Sequence, residues 1–451
     1  MHIPDGYISP KVFVPFYLLF IPLLLKGVRK LRNRLDEEVL PLLSSLTALS
    51  FIIMMFNVPV PGGTSGHALG AALIAIVFGP WAGFLSVSLV LLLQAMLFGD
   101  GGITTYAVNA VAMGYVASFS GYYTYRILKN RVPEKVGYFL AGWVSIVLAS
   151  CVIAVVLGIE PIIARDAEGV PLYFPYGLKV TIPAVVGSTL LFFGVLEGFF
   201  TLFGVSYFKR YLSEGYRPRL VVPGKGTSDV FLFFVVVVLV LLLVPLGLLT
   251  DNPAWGEWDT SFFRLHLGFV PGGIESLSSF YNAPLPDYSL PGMRAVSSYY
   301  LSAVLGFFFI TLLFYLFSRK KGRVFDKLFF VCYLLVVFAV TVSSNPYFML
   351  ALLGVALLLS GKDIFSLLVR TFAPLLLFNL FSSVYFIITR NYAGLLLFNL
   401  RTFTILYFTL LVGKKLNLFA VLSFSPLLSY TLTVAYSQIN NFVVTYRQMK
   451  Q

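Results

Sequence analysis

The chain opens MHIPDGYISP, and its first two residues carry three nitrogens that can hold one metal ion. The free amine of Met1 and the amide nitrogen of His2 close a five-membered chelate ring; that amide and Nδ1 of the His2 imidazole close a six-membered one. Three nitrogens in one plane leave a fourth position open. A square-planar nitrogen set points to Ni(II) or Cu(II), with Co(II) also able to compete. Binding displaces protons, so the site favours ions that compete well for nitrogen.

The chain has three histidines, so donors for the fourth position are few. His67 lies in NVPVPGGTSGHALGAAL (57–73), after a glycine-rich turn and before an apolar stretch. A histidine there is read either as a satisfied structural residue or as a ligand, and an ionisable group within a membrane favours function. PGGTSG (61–66) gives a backbone able to turn sharply and approach an ion, and Thr64 or Ser65 could hydrogen-bond the second nitrogen of a ligand histidine. The alternative is a plain glycine turn. GDGG (99–102) lacks the acidic spacing of a calcium loop and reads as a turn with Asp100 capping a helix. Gln94 and Asn109 lie in apolar helices, where an unpaired amide is expensive, so hydrogen bonds near the site are expected of both. Glu197 is similarly placed, with no evident basic partner, and receives no role.

The elements that must position these residues are membrane helices. Of 451 residues, 59% are hydrophobic and 11% charged, against about 25% charged in soluble domains. Apolar runs of the roughly 20 residues that span a bilayer recur along the chain and do not alternate in polarity. The expected fold is all-α, polytopic, with about 12–14 transmembrane helices. The net charge of +13 collects in short loops such as KGVRKLRNR (26–34) and SRKKGR (318–323), which marks cytoplasmic loops rather than a nucleic-acid surface. The first helix, from about Lys11 to Leu31, then leaves the N-terminus on the outer face of the cell membrane. Cys151 and Cys332 each sit in an apolar run, so no disulfide framework or thiolate site is indicated.

Three regions follow from this pattern. Residues 1–222 hold apolar stretches near 40–58, 67–98 (two packed segments), 104–128, 137–160 and 176–206. A polar linker over 209–227, with Pro218 and Pro223, leads to a two-helix region (223–322) whose helices, 229–249 and 297–317, flank an external loop over about 250–296. The third region, 323–451, is again apolar throughout.

Three stretches, MHIPDGYISP, NVPVPGGTSGHALGAALIAIVFGPWAG (57–83) and LLLQAMLFGDGGITTYAVNAVAMG (91–114), closely resemble the substrate-specific membrane subunit of nickel and cobalt energy-coupling-factor transporters, the CbiM/NikM family. The resemblance covers about residues 1–220. It implies that the N-terminal amine, His2 and His67 bind the metal, and Met1, His2 and His67 match those positions. Tyr7 stands where the family usually has another aromatic or aliphatic residue. The second region resembles the auxiliary two-helix component of these systems. Its loop carries NPAWGEWD (252–259) and FVPGGIESLSSFYNAPLPDYSLPG (269–292), with Gly272 replacing the signature's aspartate. His266, Glu275 and Asp287 could pass a metal onward during loading; the other reading makes the loop a structural cap. The third region resembles the transmembrane T component in LLVRTFAPLLLFNLF (367–381) and LFNLRTFTILYFTLLV (397–412), and the chain given stops before that family's coupling helices.

The implied function is capture and inward movement of Ni(II) or Co(II) as transported substrate, with ATPase subunits and a complete T component as partners and no nucleic acid. The chain is expected to be no enzyme. GKGTS (224–228) lacks the spacing of a phosphate-binding loop, and no His-Glu-x-x-His motif exists. A membrane scaffold or sensor that binds the ion without moving it is the alternative.

Overall fold

The computed structural model describes residues 2–32, 39–60, 64–208, 243–248, 253–278, 280–290, 293–317, 346–372 and 392–415, with isolated positions at 333, 336, 337, 340 and 375. Met1, the 209–227 linker, most of helix 229–249 and the apolar stretches 327–342, 376–388 and 418–445 lie outside them, wholly or for the most part. Six described helices are long and apolar enough to cross a bilayer, and the chain is a multi-pass helical membrane protein. The expected count of 12–14 draws partly on residues outside those described.

In chain order the helices are α1 (Pro10–Arg32), α2 (Val39–Met54), α3 (Ala71–Phe78), α4 (Pro80–Leu93), α5 (Tyr106–Asn109), α6 (Ala117–Leu128), α7 (Glu134–Ile163), α8 (Leu178–Thr181) and α9 (Gly194–Phe208). Gly79 and Pro80 divide α3 from α4, since proline starts a helix well and cannot continue one. Wider π turns continue α4 (Gln94–Phe98), join α5 to α6 (Ala110–Val116) and interrupt the α8–α9 span (Ile182–Val186, Thr189–Phe193). Such turns occur mostly at functional positions. A short antiparallel pair, Val58–Val60 with Thr64–Gly66, precedes α3.

The chain divides into two compact units, one of Met1–Leu290 with Arg294–Phe317, the other of Pro291–Met293 with Ser318–Gln451. The described part of the loop over 250–290 belongs to the first. It contains α10 (Thr260–Leu267), capped by Asp259, which accepts the Phe262 N–H at 2.9 Å, and α11 (Gly272–Leu277). After it α12 (Ala295–Phe317) packs against α2. In the second unit α13 (Pro346–Ser360) packs on α14 (Tyr392–Lys415), and the Ser360 hydroxyl meets that of Tyr407 at 2.7 Å.

Helices in lipid associate by close packing of small residues rather than by a hydrophobic driving force. Gly121 of α6 shows this: a β-carbon there would lie 2.8 Å from that of Ala72 on α3. Gly121→Val should therefore destabilise the first unit by about 1–3 kcal/mol through overpacking, read as a lowered thermal midpoint in detergent.

Candidate metal centre

The N-terminal peptide lies extended inside the bundle, with Ile3 and Ile8 fully buried. Buried backbone must find partners, and here helix ends and side chains supply them. The Ile3 N–H donates to Asn109 Oδ1 at 3.0 Å. Its carbonyl accepts from Asn109 Nδ2 at 3.1 Å, from the Gly102 N–H at 3.1 Å and from the Thr105 hydroxyl. The Asp5 carboxylate accepts the N–H groups of Ile103 (3.0 Å) and Thr104 (2.7 Å) and the Thr104 hydroxyl. Gly102 permits this approach, since a β-carbon there would lie 2.5 Å from the Asp5 nitrogen. The Tyr7 hydroxyl donates to the Trp258 carbonyl of the loop. At the start of α1, buried Glu160 accepts the Ser9 N–H at 2.9 Å and its hydroxyl at 3.3 Å.

His67 follows the second strand of the antiparallel pair and precedes α3. Its Nδ1 lies 3.1 Å from the Ala68 carbonyl, which accepts the proton of that nitrogen. This corrects the expectation for Thr64: its hydroxyl donates to the carbonyls of Ser65 (3.4 Å) and Pro253 (3.5 Å), because the loop lies alongside this strand and Ser65 pairs with Ala254.

The two imidazoles come together. His2 and His67 are 4% and 5% exposed, and their rings stack at 5.2 Å and 25°. Nε2 of each has no hydrogen-bond partner among the described residues. With Nδ1 of His67 donating to a carbonyl, its Nε2 keeps a lone pair, and a second nitrogen held in this way is what a metal-binding histidine usually shows.

Around His2 the sequence reading missed the main contacts. Asp100 caps no helix: its Oδ1 lies 2.7 Å from His2 Nδ1, and its Oδ2 accepts from the Tyr288 hydroxyl at 2.5 Å and Gln94 Nε2 at 3.3 Å. Burial alone would raise the Asp100 carboxyl, but the charge and hydrogen bond of His2, with the Tyr288 hydroxyl, hold it well below the usual carboxylate range. Glu257, from the loop, accepts the His2 N–H at 2.7 Å, and its Oε1 lies 3.9 Å from His2 Nδ1. Among the described residues, His2, Asp100 and Glu257 form the one group of three or more His, Cys or acidic side chains able to hold an ion, with donor atoms within 4.8 Å of one another. Glu257 and Tyr288 are distant in sequence from the histidines and carried no signal beyond their aromatic-rich loop.

Of the residues expected to help loading, His266 and Glu275 stand apart from this cluster. His266 is exposed, stacks on Phe262 at 4.1 Å and bonds the Phe262 carbonyl through Nδ1 at 2.9 Å. Glu275 on α11 is exposed, whereas Asp287, which adopts a φ of 51°, has its carboxyl raised by burial and by the charges of Asp100 and Glu257. What the loop does bring is an aromatic cover: Trp255 and Trp258 pack with Phe174 and Tyr176, and Tyr288 stacks on Phe98 at 4.7 Å.

A bundle that buries two imidazoles beside carboxylates has the donors a metal site needs, and comparison with known families gives it a place. Residues 2–214 match the family described as cobalt uptake substrate-specific transmembrane region, CbiM. The probable fused nickel transport protein LarMN of Lactiplantibacillus plantarum is 37% identical over 67% of this chain and 93% of its own. The fused nickel transport protein NikMN of Rhodobacter capsulatus is 36% identical over 68% and 94%. A crystal structure described as a transition metal transporter is 40% identical over 47% of this chain and 93% of that one, with a TM-score of 0.45. The chain belongs to the CbiM family of metal-transport proteins, in its fused form, and is a transporter rather than an enzyme.

Asn109→Leu removes the acceptor of the Ile3 N–H and one of the three donors to its carbonyl. Leaving that buried N–H unpaired costs ~1–3 kcal/mol, so the N-terminal segment should open more often. Hydrogen exchange at residues 2–5 rising well above wild type, with helix content unchanged, would register this.

Proposed function

We propose that this chain is the metal-capturing membrane subunit of an ATP-driven energy-coupling-factor uptake system for nickel or cobalt, oriented with its N-terminus outside. The ligands are the Met1 amine, the His2 amide nitrogen and Nδ1, and His67 through Nε2. The observation that carries this reading is the pair of buried, adjacent imidazoles delivered by two separate elements, with Nε2 of His67 unpartnered among the described residues. The fused relatives named as nickel transport proteins and the cobalt-uptake description of the family support the choice of ion. Separate ATPase subunits and a T component supply the power, and residues 323–451 form a T-like unit.

Chemically, capture is an exchange of partners. Glu257 holds the His2 N–H and Asp100 holds Nδ1. Chelation uses both nitrogens and displaces both carboxylates, whose retained negative charge near the site offsets that of the incoming ion. Thr64, Ser65, Gln94 and Asn109 act outside the ligand set: Gln94 orients Asp100, Asn109 fixes the peptide next to His2, and Thr64 and Ser65 seat the loop.

Uptake of radioactive nickel or cobalt by cells carrying this chain with partner ATPases, and its absence when ATP hydrolysis is blocked, tests the transport reading; binding without uptake would leave a scaffold or sensor. His67→Ala should abolish tight binding while leaving a weaker amine–His2 chelate and an inserted protein; unchanged affinity rules the ligand out. A single glycine added ahead of Met1 converts its amine to an amide. Affinity should then fall on the order of a thousandfold, at ~1.4 kcal/mol per tenfold step, as measured by titration in the same detergent and at the same pH. Equal binding by both chains would remove the amino terminus from the ligand set.

A further inference from the structure

The span Leu178–Phe208 runs along the segment that carries His67, and positions 193, 197, 200 and 204 meet that segment at the four-three-four spacing of one helix face. Phe193 lies so close to Gly66 that a β-carbon on the glycine would sit 2.6 Å from its ring. Phe200 stands against Gly70, and Leu73 fills the space beside Gly204. Between them Glu197, fully buried, accepts the Leu69 N–H at 2.7 Å and the Gly70 N–H at 3.0 Å on the same oxygen, Oε2. Its Oε1 has no partner among the described residues. The two amides are the second and third after His67, and at Gly70, with a φ of 73°, the chain turns into α3. Helix starts leave N–H groups unsatisfied and favour an anion there. The imidazole bonds only to the next residue's carbonyl in this arrangement, a local contact that cannot tie it to the bundle. Glu197 makes that tie.

We propose that Glu197 is a positioning residue for metal capture: it fixes the His67 imidazole by clamping the two peptide groups that follow it to the 178–208 helix. The inference rests on His67 being a ligand. Because both amides converge on one oxygen, a neutral carbonyl oxygen in the same place serves as well, and hydrogen bonding rather than charge is the operative property.

The test uses the purified full chain and compares wild type, His67→Ala, Glu197→Gln, Glu197→Leu and the double variant His67→Ala/Glu197→Leu. Ni(II) affinity is measured by calorimetry, and the ligand field by the absorption spectrum of bound Co(II). Glu197→Gln should bind within threefold of wild type. Glu197→Leu should bind at least thirtyfold more weakly, with a Co(II) spectrum moved toward that of His67→Ala. In the His67→Ala background the leucine should bring no further loss, because its effect passes through His67. Wild-type affinity and spectrum in Glu197→Leu would overturn the proposal. So would an equal loss in the His67→Ala background, which marks a general structural effect. If leucine prevents membrane insertion, Glu197→Ala enters the same cycle. Wild type and His67→Ala are measured first: equal affinities there defeat the ligand assignment itself, whatever Glu197 does.

Discussion

Carboxylates that accept backbone N–H groups inside an apolar bundle hold this capture domain together. In hydrocarbon every peptide group must be satisfied internally, yet the two segments carrying the histidines are irregular and leave N–H groups they do not satisfy alone. Three acids accept such groups, and a fourth, Asp5, works in the other direction. Asp5 reaches from the N-terminal peptide to the turn at 103–104. Glu160 takes the start of α1 and Glu197 the start of α3. Glu257 takes the amide of His2. Each is a side chain from elsewhere in the chain stabilising a backbone that would otherwise be expensive to bury.

The consequence is that two histidines 65 positions apart in sequence share one pocket. Both are removed from water, and Nε2 of each has no partner among the described residues. The loop after residue 250 supplies side chains to the pocket as well as covering it. Its Glu257 and Tyr288 bond His2 and Asp100, while its tryptophans pack on Phe174. The loop and the histidines therefore lie within a single compact unit.

Much of this was legible in the residues. Long continuous apolar runs with basic clusters between them leave little choice of fold class, because the bilayer demands that pattern. The stretch 67–98 reads as two packed segments, and the structure divides it at Gly79 and Pro80 into α3 and α4. Asn109 was marked as needing a partner, and it has one in the Ile3 peptide. Asp100, by contrast, reads as a local cap, since turn composition gives no hint that a histidine almost a hundred residues earlier faces it. Glu197 has no basic partner in the sequence pattern, and the backbone amides it holds are recorded by no sequence letter.

Composition, periodicity and the short segments around His2 and His67 determined by themselves that this is a multi-pass helical protein of a metal-transport family, and which side chains carry nitrogen donors. Those are properties of residue type and local spacing. The tertiary structure alone decided that the imidazoles stack, that Asp100 and Glu257 hold the nitrogens of His2, and that Glu160 and Glu197 hold the helix starts behind each histidine. Hydrogen bonds between residues 100 to 255 positions apart depend on how helices pack, and packing is settled by the whole bundle at once rather than by any one stretch of it.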